Sequence, residues 1–121
     1  MTSIITSVGS PGSIGPTSGG KVTAFNAIST VPGQVLGANQ FRVQALFHNP
    51  GGQDIFIYPI NVLNASGQNT PLAPTTAALG GCFRVFANGG TLTLTGECQG
   101  AWGAFAAANA NNPLTVMDTN A

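Results

Sequence analysis

FRVQALFHNPGGQDIFIYPI, residues 41–60, decides the fold class of this chain. Its first half alternates Phe41, Val43, Ala45 and Phe47 with Arg42, Gln44, Leu46 and His48, the two-residue period of a half-buried strand. Its second half sets Ile55 and Ile57 on one face and Phe56 and Tyr58 on the other, as in a strand covered on both sides that ends near Pro59. Between them NPGGQ reads as a turn: Pro50 presets φ for the second turn position, and Gly51 accepts the positive φ that a type II turn needs at the third. The expectation is a hairpin, with His48 and Asp54 facing each other at its mouth.

Outward from this stretch the same grammar repeats. KVTAFNAI (21–28) and QVLG (34–37) flank the breaker Pro32-Gly33. CFRVF (82–86) and TLTLT (91–95) flank ANGG, where Asn88 and Gly89 tolerate positive φ, and this predicts a second hairpin. In TLTLT the leucines Leu92 and Leu94 point inward and the threonines form an uncharged outer row. Residues 61–81, with two prolines and no period, read as a long loop crossing one end of the fold. The alanine-rich run after Glu97 favours helix by propensity, but Gly100, Gly103 and Trp102 favour a strand to about Ala106, and PLTVMD (113–118) reads as a last strand.

Eight candidate strands in about a hundred residues predict an all-β domain, a two-sheet antiparallel β-sandwich that is jelly-roll-like, over residues 21–121. Residues 1–20 are Gly, Ser, Thr and Pro with scattered Ile4, Ile5, Val8 and Ile14, too little apolar surface to offset the entropy of ordering. They read as an extended N-terminal arm whose four aliphatic side chains are candidate interface anchors on a partner.

Charge narrows the function. Of 121 residues only 5 % are charged, whereas about 25 % is usual. A surface of Asn, Gln, Ser, Thr and Gly is therefore expected to be covered by another protein over much of its area. Lys21, Arg42 and Arg84 balance Asp54, Glu97 and Asp118, and without a basic stripe there is no reason to expect direct nucleic acid binding. The opening residues lack a secretory h-region and no window has the length of a membrane span, so synthesis in the cytoplasm is expected.

Reacting groups are few. His48 and Asp54 lack a neighbouring nucleophile or second carboxylate, and Asp54, Glu97 and Asp118 have no spacing that makes a glycosidase pair. The glycine pairs lack the lysine of a phosphate loop. Cys82 and Cys98 lack the close pairing of a zinc site and read as buried thiols. No catalytic, cofactor or metal residue is assigned. Tyr58, Trp102 and Phe105 would suit a sugar-stacking platform if exposed, the basis for a carbohydrate-binding alternative, although core packing is the commoner fate of strand aromatics. Arg42 and Arg84 lie in apolar strands, where an unpaired charge is costly, so they are expected at a rim or bonded to a carboxylate across subunits.

In the order FHNPGGQDIFIYP, PLAPT, LGGCFRVFANGGTLTLTGECQGAWGAFAA and NNPLTVMD, residues 41–118 resemble the small virion structural proteins of tailed bacteriophages. The resemblance covers about two thirds of the chain and leaves the first forty residues outside it. It implies a setting on the outer capsid surface, similar to cement or decoration proteins that clamp neighbouring copies of the major capsid protein. The implied partners are that shell protein and further copies of this chain, as dimer or trimer, with no cofactor. A head-fibre or tail adaptor is the alternative location.

Overall fold

The computed structural model describes residues 20–96 and 98–120. Ten strands follow one another: β1 (Gly20–Ile28), β2 (Gly33–Leu36), β3 (Arg42–Asn49), β4 (Ile55–Pro59), β5 (Asn61–Leu63), β6 (Asn69–Pro71), β7 (Phe83–Val85), β8 (Gly90–Leu94), β9 (Trp102–Ala106) and β10 (Asn112–Asn120). Eight of them form two packed antiparallel sheets, in the orders β1-β10-β3-β8 and β2-β9-β4-β7, and β5 and β6 make a separate two-stranded hairpin. The all-β sandwich expected from the sequence is therefore present. Residues 1–19, and with them Ile4, Ile5, Val8 and Ile14, lie outside the described part.

Neither of the two hairpins expected at NPGGQ and ANGG exists. β3 pairs with β10 and β8, whereas β4 pairs with β9 and β7. Each connection crosses from one sheet to the other. In ANGG the turn residues take the expected positive φ, with Asn88 at 63° and Gly89 at 105°, whereas Gly51 in NPGGQ does not, and both turns shape an arch instead of a hairpin. Asn49 explains why. Its side chain is fully buried and its Nδ2 donates to the carbonyls of Gln53 at 2.7 Å and Val85 at 3.0 Å, while its Oδ1 accepts from Gly51 N–H at 3.1 Å. The arches then lock together: Asn88 N–H donates to Gly51 C=O and Gly89 N–H to Asn49 C=O, both at 2.7 Å.

Ile55, Ile57, Phe47, Val85, Leu114 and Val116 fill the space between the sheets, each at most 1 % exposed. On the other side of β4, Phe56 and Tyr58 meet Phe105 of β9, with ring centroids 5.3 and 6.0 Å from the Phe105 ring. Residues 60–82 cover this second cluster with Ile60, Leu72, Leu79 and Cys82. The segment expected as a plain loop thus contains β5 and β6 and acts as a cover, tied back where Leu72 N–H donates to Ile60 C=O at 2.9 Å. Burying such aromatic side chains contributes about 1.5–3 kcal/mol each, enough to hold the segment down.

Gly103 in β9 is required by this outer cluster. A Cβ there would overlap the Tyr58 ring. Gly103→Ala is expected to cost about 1–3 kcal/mol, the usual range for overpacking, measured as a lower urea midpoint with an unchanged slope. Gly52→Ala, where a Cβ meets open space, serves as the control.

The alternation expected in residues 41–48 holds for only part of its length. Ala45 and Phe47 are fully buried, but Phe41 and Val43 are 65 and 45 % exposed and Arg42 is 2 % exposed. The register between β3 and β10 slips there, from Thr119 opposite Gln44 to Asn120 opposite Arg42. One extra residue in β3 reverses which side chains face inward, as a β-bulge does.

Candidate functional site

The bulge makes Arg42 a buried hub. Its Nε donates to Asp118 Oδ1 at 2.7 Å, its Nη1 to the carbonyls of Cys98 and Gly100 at 2.7 and 3.1 Å, and its Nη2 to that of Gly37 at 2.6 Å. The strand context of Arg42 leads one to expect it at a rim or against another subunit's carboxylate; it is instead buried, and its carboxylate belongs to its own chain. A signal for this existed. Asp118 shares the inward parity of Leu114 and Val116 in β10, so a charge was destined for the interior and needed a partner there.

Arg84 in β7 fits its expectation better. Half-exposed, it lies with its guanidinium carbon 5.5 Å from the ring centroids of both Phe56 and Phe86, and its Nε is 3.7 Å from Asp54 Oδ2. Solvent screens such a pair, so it contributes at most about 1 kcal/mol. Asp54 Oδ1 meanwhile accepts Ala87 N–H at 2.8 Å, which anchors the arch. His48 sits in the other sheet, opposite Thr115 and Thr91. Among the described residues no ion pair joins His48 to Asp54, so the pair that the sequence brings together is separated by the fold.

The aromatic platform also dissolves. Tyr58 and Trp102 are each 4 % exposed and Phe105 is fully buried, so none of the three offers its face to a sugar. A cleft of about 660 Å³ opens beside Trp102, walled by Pro59, Val62, Leu63 and Phe83 with Asn61 and Asn69, and holds no titratable side chain.

Cys82 and Cys98 are free thiols, but only Cys98 is buried as expected; Cys82 lies in the irregular cover over the outer cluster and is only partly buried. Cys98 is buried among the residues around Arg42, and its S–H lies 3.0 Å from Thr95 C=O and 3.4 Å from Arg42 C=O. Burial raises the Cys82 thiol above its ordinary 9.0, and burial followed by the charge of the Cys82 thiolate raises Tyr58 above 10.0. Both groups are neutral when protonated. In the unfolded chain the thiol gives up its proton from 9.0 upward while the folded chain still holds it, so the unfolded state binds fewer protons and stability falls as pH rises through that window. Thermal unfolding is expected to be unaffected by this thiol below 9.0 and to weaken above it, with a smaller decline in Cys82→Ala.

One broad surface remains, the outer face of β1-β10-β3-β8. The other sheet has its outer cluster covered by residues 60–82, but this one has no such cover among the described residues. Strand register defines two rows across it: Val22, Met117, Leu46 and Thr93, then Ala24, Thr115, His48 and Thr91. Every charged side chain of these strands lies off the two rows, and the threonine row of β8 faces outward as its alternation indicated. Val22 is 63 % exposed. The arrangement can do little chemistry, since its two rows hold no carboxylate, amine or thiol and a single imidazole, that of His48. It is suited to contact: a face of aliphatic and hydroxyl side chains with no lysine, arginine or carboxylate on its two rows. Comparison of the chain with protein-family models, with curated proteins and with solved structures finds no match.

Proposed function

We propose that this chain is a structural protein of a virion, a jelly-roll cement or decoration protein that binds the outer surface of the major capsid protein shell. Counting only the eight sandwich strands in chain order, the two sheets read 1-8-3-6 and 2-7-4-5. That order supports a roll built from two Greek keys, an architecture used in viral capsids. The observation that carries the reading is the uncharged face formed by the Val22 and Ala24 rows. A protein that works by shared contact area needs such a face and needs neither a pocket nor a field of charge.

The face spans four strands at about 4.8 Å and some five residues at about 3.4 Å, on the order of 320 Å² in plan. A stable pairwise interface takes about 800 Å² per partner, so one face alone gives weak attachment. Several copies held together convert weak contacts into firm ones. The residues resembling cement proteins agree with this arrangement, in which the N-terminal arm supplies further contacts on the outer capsid surface.

Mixing the purified chain with capsids that lack it, then sedimenting, tests the reading. The chain is expected in the pellet at micromolar concentration, and equally so at low and high salt, because no charged group lies on the contacting rows. A chain that stays in the supernatant overturns the proposal.

A further inference from the structure

We infer that β1 is a self-association edge, along which a second copy of this chain adds its own β1 antiparallel across a two-fold axis to join two four-stranded sheets into one of eight. The inference stands on the strand edges and does not depend on the shell-binding role.

A sandwich with two open sheets has four edge strands, and unpaired edges invite pairing unless they are short, charged or interrupted. Here β2 has four residues and follows Pro32, and β7 has three with Arg84 at its centre. β8 has five. β1 differs from all of these. It runs nine residues, from Gly20 to Ile28, contains no proline, and among the described residues pairs on one side only, with β10. Its single charge is Lys21, and residues 20–24 are exposed on both faces. Beside it the sandwich gapes: a cleft of about 340 Å³ lies between the β1 and β2 edges, lined by Lys21, Thr23, Val35 and Asp118 among others. A strand laid against β1 would satisfy its outward backbone groups and roof this cleft.

Symmetry selects the second copy as that strand. A two-fold perpendicular to the sheet keeps outer face with outer face only if opposed residues share parity. Centring the axis on Thr23 meets this condition, setting Thr23 against Thr23, Val22 against Ala24, and Lys21 against Phe25 of the second copy. No like charges are opposed, and each lysine gains an aromatic neighbour. The contact is isologous and closes after two chains, whereas pairing β1 with the β8 edge of a neighbour would be head-to-tail and could continue without limit. Because β1 also carries Val22 and Ala24, the dimer places the two uncharged faces side by side.

The test uses the full chain alone, by analytical ultracentrifugation, with Thr23→Lys and Thr23→Glu. Thr23 is exposed and its side chain lies off the outer rows, so both variants are expected to keep the native melting temperature. The unmodified chain is expected to sediment at twice 12.1 kDa. Each variant should weaken dimerisation at least tenfold, and an equimolar mixture of the two should restore it. Amide exchange in the unmodified chain gives a second readout, with protection of residues 21–25 rising with protein concentration. A monomer throughout the micromolar range, an oligomer indifferent to both variants, or β1 amides whose exchange ignores concentration overturns the inference. Capsid attachment by a chain that fails these tests would leave the shell-binding role standing.

Discussion

Arg42→Met is expected to lower the unfolding free energy by about 3–5 kcal/mol, the usual cost of removing one partner from a buried ion pair. The Arg42 side chain is 2 % exposed and that of Asp118 18 % exposed, so the guanidinium has almost no water to fall back on and the carboxylate only part of its hydration. Removing the guanidinium strips the donor from the carboxylate and from the carbonyls of Cys98, Gly100 and Gly37 together. Domains of this size have a total stability of about 5–15 kcal/mol, so about a fifth or more of it is at stake. The same substitution at Arg84, whose partner is 3.7 Å away and solvated, should cost at most about 1 kcal/mol. Urea unfolding separates the two: the midpoint falls far in one variant and little in the other. Arg42→Met combined with Asp118→Leu should recover part of the loss, because the stranded carboxylate is then gone. A loss below about 1 kcal/mol for Arg42→Met alone would mean that water replaces the guanidinium at its site.

Those four hydrogen bonds join β3 to the nearby end of β2 and to β10 and the loop before β9, both far away in sequence, and this shows what local reading can reach. Period and breakers placed the strands well: β1, β2, β3, β4, β8 and β9 lie close to their expected positions, and the double-sided burial of β4 was visible in IFIYP. Pairing was not visible. NPGGQ and ANGG have the composition of hairpin turns, yet a turn motif fixes only the backbone between two strands and leaves open whether they enter one sheet or two. Asn49 made the difference, and its signature is a buried amide bonded to Gln53 and to Val85, the latter 36 residues away. The bulge at Val43 is illegible in the sequence for a related reason, since a register slip is a property of two strands and β10 lies more than sixty residues downstream. Similarly, the cover over Phe56, Tyr58 and Phe105 comes from a segment with no period to read, because Leu72, Leu79 and Cys82 reach that cluster from irregular backbone. The outer face was legible in half: TLTLT announced an uncharged row, while Val22, Met117 and Leu46 joined it only through strand order.

Leu46→Glu is expected to abolish capsid attachment at micromolar concentration while shifting thermal unfolding by the equivalent of less than about 1 kcal/mol. Leu46 lies at the middle of the first row, between Met117 and Thr93, and points away from the core that Ala45 and Phe47 enter. Losing the burial of one leucine removes about 1.5–3 kcal/mol from each contact, roughly ten- to a hundredfold in affinity. Trapping an unpaired carboxylate against the shell adds a further penalty. Copies acting together multiply the effect, since each contact in an oligomer is weakened by the same factor. High salt should not rescue binding, because the loss comes from desolvation and not from long-range repulsion. Arg84→Ala, on the opposite sheet, should leave attachment unchanged, although its sequence context alone made Arg84 a candidate interface residue. Sedimentation with capsids and a melting curve on each variant decide the matter. Attachment that survives Leu46→Glu and fails in Arg84→Ala would move the shell-facing surface to the β7 edge, where the arginine lies across Phe56 and Phe86.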